Sequence, residues 1–150
     1  MRLVIQRVSK AKVSIAGSVV SRIDRGLLVL VGVEKEDSLD DVDWLASKTV
    51  NLRIFPDEAG VMNKSLSDIN GDILAVSQFT LTASTKKGNR PSYIRAAGHE
   101  LAIPLYEAFC NRLFCLTGKE IRKGVFGADM QIELINDGPV TIIIDSRLKE

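Results

Sequence analysis

Histidine is almost missing from this chain, with His99 alone among 150 residues. A hydroxyl nucleophile ordinarily relies on a histidine oriented by a carboxylate. His99 falls in a loop ahead of a predicted helix, where a surface or capping role is the plainer reading, so Ser77 and Thr80 are left without an obvious activator. Cysteine is also scarce: Cys110 and Cys115 stand five apart on one predicted helix and point to different faces, which excludes a redox pair or metal knuckle and makes both expected core filler. Aromatics make up 5%, and Trp44 fits packing at a helix–sheet seam better than base stacking. Charge of neither sign prevails, the formal net being +1, so contact with RNA would need a local basic patch. No apolar run approaches the roughly 18 residues of a membrane span, and residues 1–8 are too short and too alternating for a signal peptide. A cytoplasmic protein without membrane attachment is expected. The stretch Gly124-Val125-Phe126-Gly127 lacks the lysine of a phosphate loop. Nor is an acid–base carboxylate pair evident: Asp57 and Glu58 occupy a polar turn, and Asp37, Asp40, Asp41 and Asp43 surround a helix start that favours acidic groups.

What is present suits one domain spanning 1–150, with a 45% hydrophobic content sufficient for a core without staples. Residues 3–8 and 12–15 read as two short alternating strands, followed by strands over 18–23 and 27–33; the last, Leu-Leu-Val-Leu-Val-Gly-Val, suggests burial on both faces. Ser38 and Asp41 form a capping-box pattern ahead of apolar positions Leu39, Val42, Leu45, Ala46 and Thr49, predicting a helix to about Asn51. Short strands are predicted over 52–55 and 61–63, and a longer one over 72–81, whose polar end carries Ser77, Gln78 and Thr80. Residues 82–93 lack periodicity and read as a loop bearing Lys86, Lys87 and Arg90. A second helix follows Gly98-His99-Glu100, tolerates Pro104 only in its first turn, buries Leu105, Ala108, Phe109, Leu113 and Leu116, and stops at Gly118. This order favours α/β architecture with helices packed on one side of the sheets.

Residues 130–145 read as two strands meeting at Asn136-Asp137-Gly138-Pro139. Asp-Gly is a hairpin signal, but Pro139 removes an amide from the return strand, so the tip cannot pair fully and its carbonyls are expected to be free. With titrating side chains so few, main-chain amides become candidate catalysts. A strand end such as Gln78-Phe79-Thr80 can aim N–H groups at a developing oxyanion, each worth about 2.7 to 4 kcal/mol.

Ser77-Gln78-Phe79-Thr80-Leu81 together with Asn136-Asp137-Gly138-Pro139-Val140-Thr141 resembles the two signature motifs of the D-aminoacyl-tRNA deacylases. The opening MRLVIQRV with Arg7, the loop GNRPSY and the segment GVFGADM, which holds Phe126 and Met130, are similar to that family in the same order, so the resemblance spans the chain. It implies a three-layer α/β fold of mixed sheets, barrel-like in its packing within a homodimer, and no cofactor or metal. It further implies a cis Gly138–Pro139 peptide that reaches into the partner's pocket, floored by Ser77, Gln78, Phe79 and Thr80, with Arg7 bracing the loop. Phe126 and Met130 join Gly138, Pro139 and Arg7 as implied substrate-binding residues; Lys86, Lys87 and Arg90 are candidate contacts for tRNA phosphates. The implied reaction is hydrolysis of the ester of D-aminoacyl-tRNA, and of glycyl-tRNA, assisted by the ribose 2′-hydroxyl. For Thr80, nucleophile and positioning roles compete. Two other readings stay open: a small-ester or D-peptide hydrolase using Thr80 or Ser77 with His99, and a non-catalytic module that binds tRNA ends.

Overall fold

The computed structural model describes residues 1–149, which form β1 (Arg2–Ile15), β2 (Ser18–Ile23), β3 (Gly26–Gly32), α1 (Leu39–Asn51), β4 (Phe55–Pro56), β5 (Met62–Lys64), β6 (Asp72–Ser77), a 3-10 turn (Phe79–Thr82), α2 (His99–Thr117), β7 (Arg122–Lys123) and β8 (Gln131–Asp145). β1 is the spine. One of its edges takes β8 antiparallel along almost its whole length, and the other takes β3 against residues 2–8 and β2 against residues 11–15. β6 joins β3 in parallel and β7 joins β6, giving one mixed sheet; β4 and β5 form a separate small ribbon.

β3 and β6 are apolar on both faces because both faces are covered. Leu27, Val29, Val31, Ile73 and Ala75 pack under the two helices, in a core shared with Leu3 and Ile5. On the reverse face Leu28, Leu74 and Val76 meet Val8, Ala11, Val13 and Ile23, with Ile132 and Leu134 of β8 against them. The far half of the sheet therefore curls over the near half. Helices, central strands and curled-over strands make three layers, an α/β fold with both helices on one side and a nearly closed, barrel-like sheet.

Several expected elements differ. Residues 3–8 and 12–15 are one strand, and 130–145 is also one strand: β8 runs alongside β1 rather than folding back on itself. Period-2 alternation looks the same in one strand as in two, and the long-range partner decides. The strand expected over 52–55 shrinks to Phe55–Pro56, and that over 61–63 shifts to Met62–Lys64. The strand expected through Leu81 stops at Ser77 and tightens into the 3-10 turn.

α1 forms where expected, with the Asp41 carboxylate accepting from the Ser38 N–H at 2.8 Å, whereas α2 takes in His99 and Glu100, which were expected in the loop before it. Leu39, expected inside, is exposed. α2 buries Ala102, Leu105, Tyr106, Phe109, Cys110 and Leu113, while Leu116 and Cys115, both expected in the core, are exposed. α2 begins at His99, so Pro104 lies in its second turn, not its first, and deprives the Glu100 carbonyl of its usual amide partner. Gly118 ends the helix with φ of 67°. Among the described residues no helix is long and apolar enough to cross a membrane.

Candidate active site

The segment Asp137-Gly138-Pro139-Val140 is a four-residue bulge in β8. Gln6 pairs with Thr141 and Val8 with Asn136, so Arg7 alone stands opposite residues 137–140. Asn136 closes the bulge with its side chain, accepting from the Val140 N–H and donating to the Thr141 hydroxyl, each at 3.0 Å. Arg7, only 8% exposed, holds it from below: Nε donates to the Asp137 carbonyl at 2.9 Å, and Nη1 to the Ile54 carbonyl at 2.6 Å. The Asp137 carbonyl is therefore occupied, against the expectation that all the tip carbonyls are free. Gly138 has φ of 126°, a region that L side chains rarely adopt. A Cβ there would also stand 2.6 Å from Arg7 Nη2. The Gly138–Pro139 peptide bond is cis, and both residues are exposed.

The second motif closes β6. The Gln78 N–H still pairs with the Val31 carbonyl at 2.7 Å, after which the chain turns: Leu81 N–H donates to the Gln78 carbonyl, Ala83 N–H to the Thr80 carbonyl, and the Thr82 hydroxyl to the Phe79 carbonyl. Like the first amides of any helical turn, the N–H groups of Phe79 and Thr80 have no partner among the described residues. Phe79 is 58% exposed, with its ring edge-on to Tyr93 at 5.0 Å. The Gln78 side-chain amide donates to the Thr80 hydroxyl at 3.1 Å.

Phe126 and Met130 lie beside the strand that feeds this turn. The Gly124 N–H donates to the Ala75 carbonyl at 3.0 Å, and a Cβ on Gly124 would meet Met130 Sδ at 2.6 Å. Phe126 packs edge-on to His99 at 5.6 Å and close to Tyr106, whose hydroxyl donates to the Ala75 carbonyl. His99 is exposed, and no hydrogen bond joins it to Ser77 or Thr80 among the described residues. Lys86, Lys87 and Arg90 ride an exposed loop that Ser84 and Ser92 pinch shut with two main-chain hydrogen bonds. No cluster of metal-binding side chains occurs among the described residues.

Within the chain the two motifs do not meet. The turn sits at the level of Arg2, whose Nη1 donates to the Leu81 carbonyl, and the bulge at the level of Arg7. Five strand residues separate those levels, about 17 Å. The outer face between them carries Val4, Gln6, Thr141 and an Ile143 that is 67% exposed. An open groove lies at the Arg2 end of this face, bordered by Arg2, Val4, Leu81 and Ile143, and extends to Trp44, Lys48 and Leu148. Asn136 and Tyr93 have no part that the sequence alone reveals, since their partners become visible only once the chain is folded.

The family model described as D-Tyr-tRNA(Tyr) deacylase matches residues 4–145. A Bacteroides fragilis protein named D-aminoacyl-tRNA deacylase is 63% identical over the full length of both chains, and one of the same name from Flavobacterium psychrophilum is 59% identical over the same span. The solved structure titled c-Myc DNA Unwinding Element Binding Protein superposes with a TM-score of 0.92 at 41% identity, covering 97% of this chain and 98% of that one. A probable eukaryotic D-amino acid tRNA deacylase shares the fold, with a TM-score of 0.83 at 17% identity. With both signature segments in place and matching relatives from end to end, the chain belongs to the D-Tyr-tRNA(Tyr) deacylase family.

Proposed function

We propose that this chain, one domain over residues 1–150, hydrolyses the ester of D-aminoacyl-tRNA in the cytoplasm. It does so as a homodimer in which the Gly138–Pro139 tip of one subunit completes the pocket of the other. The observation that carries the reading is the turn at residues 79–82, which has, among the described residues, two unpartnered main-chain N–H groups and no histidine bonded to the Thr80 hydroxyl. The substrate class follows from the names of relatives 59% and 63% identical over the whole chain.

Dimerisation would resolve the gap between the motifs. A two-fold axis through the outer face near Val4 and Ile143 carries each tip five residues along the strand, onto the level of the partner's turn. It would also cover Ile143. The remaining tip carbonyls, of Gly138 and Pro139, accept hydrogen bonds from the substrate ammonium, a charge-assisted contact that fixes Cα. With ammonium and ester carbonyl both held, exchanging hydrogen and side chain drives an L side chain into Pro139. Rejection is then steric and blind to side-chain identity, and glycyl-tRNA, having no side chain, is accepted.

Water attacks the ester with help from the ribose 2′-hydroxyl, since no histidine is hydrogen-bonded to Ser77 or Thr80 among the described residues. The N–H groups of Phe79 and Thr80 receive the oxyanion, at about 2.7 to 4 kcal/mol per donor. Gln78 holds Thr80 in a positioning role, Ser77 supports the pocket floor, and Phe126 and Met130 line its side. Lys86, Lys87 and Arg90 meet tRNA phosphates, a contact weakened by salt. The test is deacylation of D-Tyr-tRNA and L-Tyr-tRNA, each ending in adenosine or 2′-deoxyadenosine. Hydrolysis is expected for the D form with an intact ribose, at normal rate in His99→Ala; undiminished turnover of the deoxy substrate would remove the ribose from the mechanism.

A further inference from the structure

The turn that presents the Phe79 and Thr80 amides is held from behind by arginine. Arg2 Nη1 donates to the Leu81 carbonyl at 3.0 Å, near the C-terminal end of the turn. The same guanidinium grips Asp145 through Nε at 3.0 Å and Nη2 at 2.8 Å, so three of its donors are committed. Arg2 and Asp145 are directly paired across the β1–β8 ladder, and both side chains are largely buried. On its other edge Arg2 pairs with Gly32, where a Cβ would meet Leu81 Cβ at 2.9 Å and the Gln78 carbonyl at 3.2 Å. The turn therefore rests on bare backbone at Gly32 and is bolted down beside it. Arg95 is a looser second tie: it reaches the Thr82 carbonyl at 3.4 Å and Glu34 at 3.5 Å, and Glu34 Oε1 makes no hydrogen bond among the described residues.

We propose that Arg2 is a positioning residue of the site, locked by Asp145, that sets where the turn presents its main-chain N–H groups. The assignment rests on the deacylase reading above. Asp145 lies on β8, the strand that also carries Gly138 and Pro139. Arg2 thus ties the receiving turn to the same ladder that sets the position of the tip donated to the partner. The planar guanidinium fork is suited to such a role, because two donors on Asp145 leave the third no freedom but to point at Leu81.

The experiment measures kcat and KM separately for D-Tyr-tRNA with the full chain and with Arg2→Met, Arg2→Lys, Asp145→Asn and the Arg2→Met/Asp145→Asn double variant, alongside thermal unfolding. Arg2→Met is expected to lower kcat about 10-fold with KM within about twofold, because the amides matter most when the oxyanion forms. Arg2→Lys, which keeps the charge and a single donor nitrogen, recovers part of the loss; the double variant is no slower than Arg2→Met, since the two residues act as one unit. Asp145→Asn preserves size and strand geometry, so it carries the test if Arg2→Met melts near the assay temperature. An unchanged kcat in Arg2→Met, a loss borne by KM alone, or a lysine variant no better than methionine overturns the assignment while leaving the deacylase reading intact. If the unsubstituted chain leaves D-Tyr-tRNA intact, that reading falls first.

Discussion

Asp37 and the Met1 ammonium are both fully buried and lie 2.5 Å apart. The Ser146 hydroxyl accepts from the same ammonium at 2.8 Å, and Asp37 also accepts from the Glu34 N–H at 2.6 Å. Removing one partner of such a pair leaves an uncompensated charge in the interior, which costs about 3 to 5 kcal/mol. Asp37→Ala is therefore expected to lose about 3 to 5 kcal/mol in urea unfolding, and a loss below about 1 kcal/mol would mean that water reaches the ammonium. Two neighbouring carboxyls shape the acid limb. Burial pushes Asp145 up, but the Arg147 N–H and the Arg2 guanidinium outweigh it and hold its pKa below the ordinary aspartate range. Asp41 is lowered likewise, burial being outweighed by Ser146 and Ser38. A depressed folded-state pKa makes the unfolded chain the better proton acceptor as pH falls. This stabilisation is thus complete above the unfolded value of about 3.9 and is lost as pH drops through the folded values. Tm measured against pH should lose this contribution below about pH 4, and more gently in Asp145→Asn. At this scale the sequence was legible where partners are close along the chain, as in the Ser38–Asp41 cap. The Met1–Asp37 pair was not, because its partners are brought together only by the packing of α1 against the sheet.

At the scale of elements, local pattern named most segments and misjudged their partners. The alternation in 130–145 and the proline that interrupts it were both real. Only the antiparallel course of β1 shows that the interruption is a bulge over Arg7 and not the end of a hairpin. The 72–81 segment carries strand-forming residues throughout, but its ladder on β3 ends at Ser77, beyond which the chain closes its own hydrogen bonds. Gly26 shows how tightly those ladders are drawn. It pairs with Val8 of β1 and Asp72 of β6, and a Cβ built on it would overlap the Asp72 main chain. Backbone cannot yield as a flexible side chain does. Gly26→Ala is expected to destabilise by about 3 kcal/mol, at the upper end of overpacking costs, and to part β6 from β3, so amide exchange should accelerate across residues 72–77 first. Uniform acceleration through all strands would show instead that the sheet opens as one unit.

For the whole molecule, the spacing of the two motifs along β1 has a consequence that a mixed-subunit experiment can read. One subunit carries Gly138→Ala, which places a Cβ against Arg7 at a φ of 126° and so spoils the tip while leaving the turn alone. The other carries Thr80→Pro, which deletes one of the two N–H groups at the turn and leaves the tip alone. Each homodimer should be inactive on D-Tyr-tRNA. Co-refolding equal amounts gives mixed dimers as about half of the population, and in the proposed arrangement each contains one pocket made of an intact turn and an intact tip. Activity then recovers to about a quarter of the unsubstituted level. Were each pocket built from a single chain, both halves of the mixed dimer would carry a defect and nothing would return. Ile143→Asp provides the control: placing a charge at the centre of the outer face should prevent pairing of subunits and abolish activity at dilute enzyme, while the protomer core, which Ile143 does not enter, keeps its melting temperature within a few degrees. A monomeric Ile143→Asp chain that still discriminates D- from L-Tyr-tRNA would show that handedness is read without the neighbour's tip.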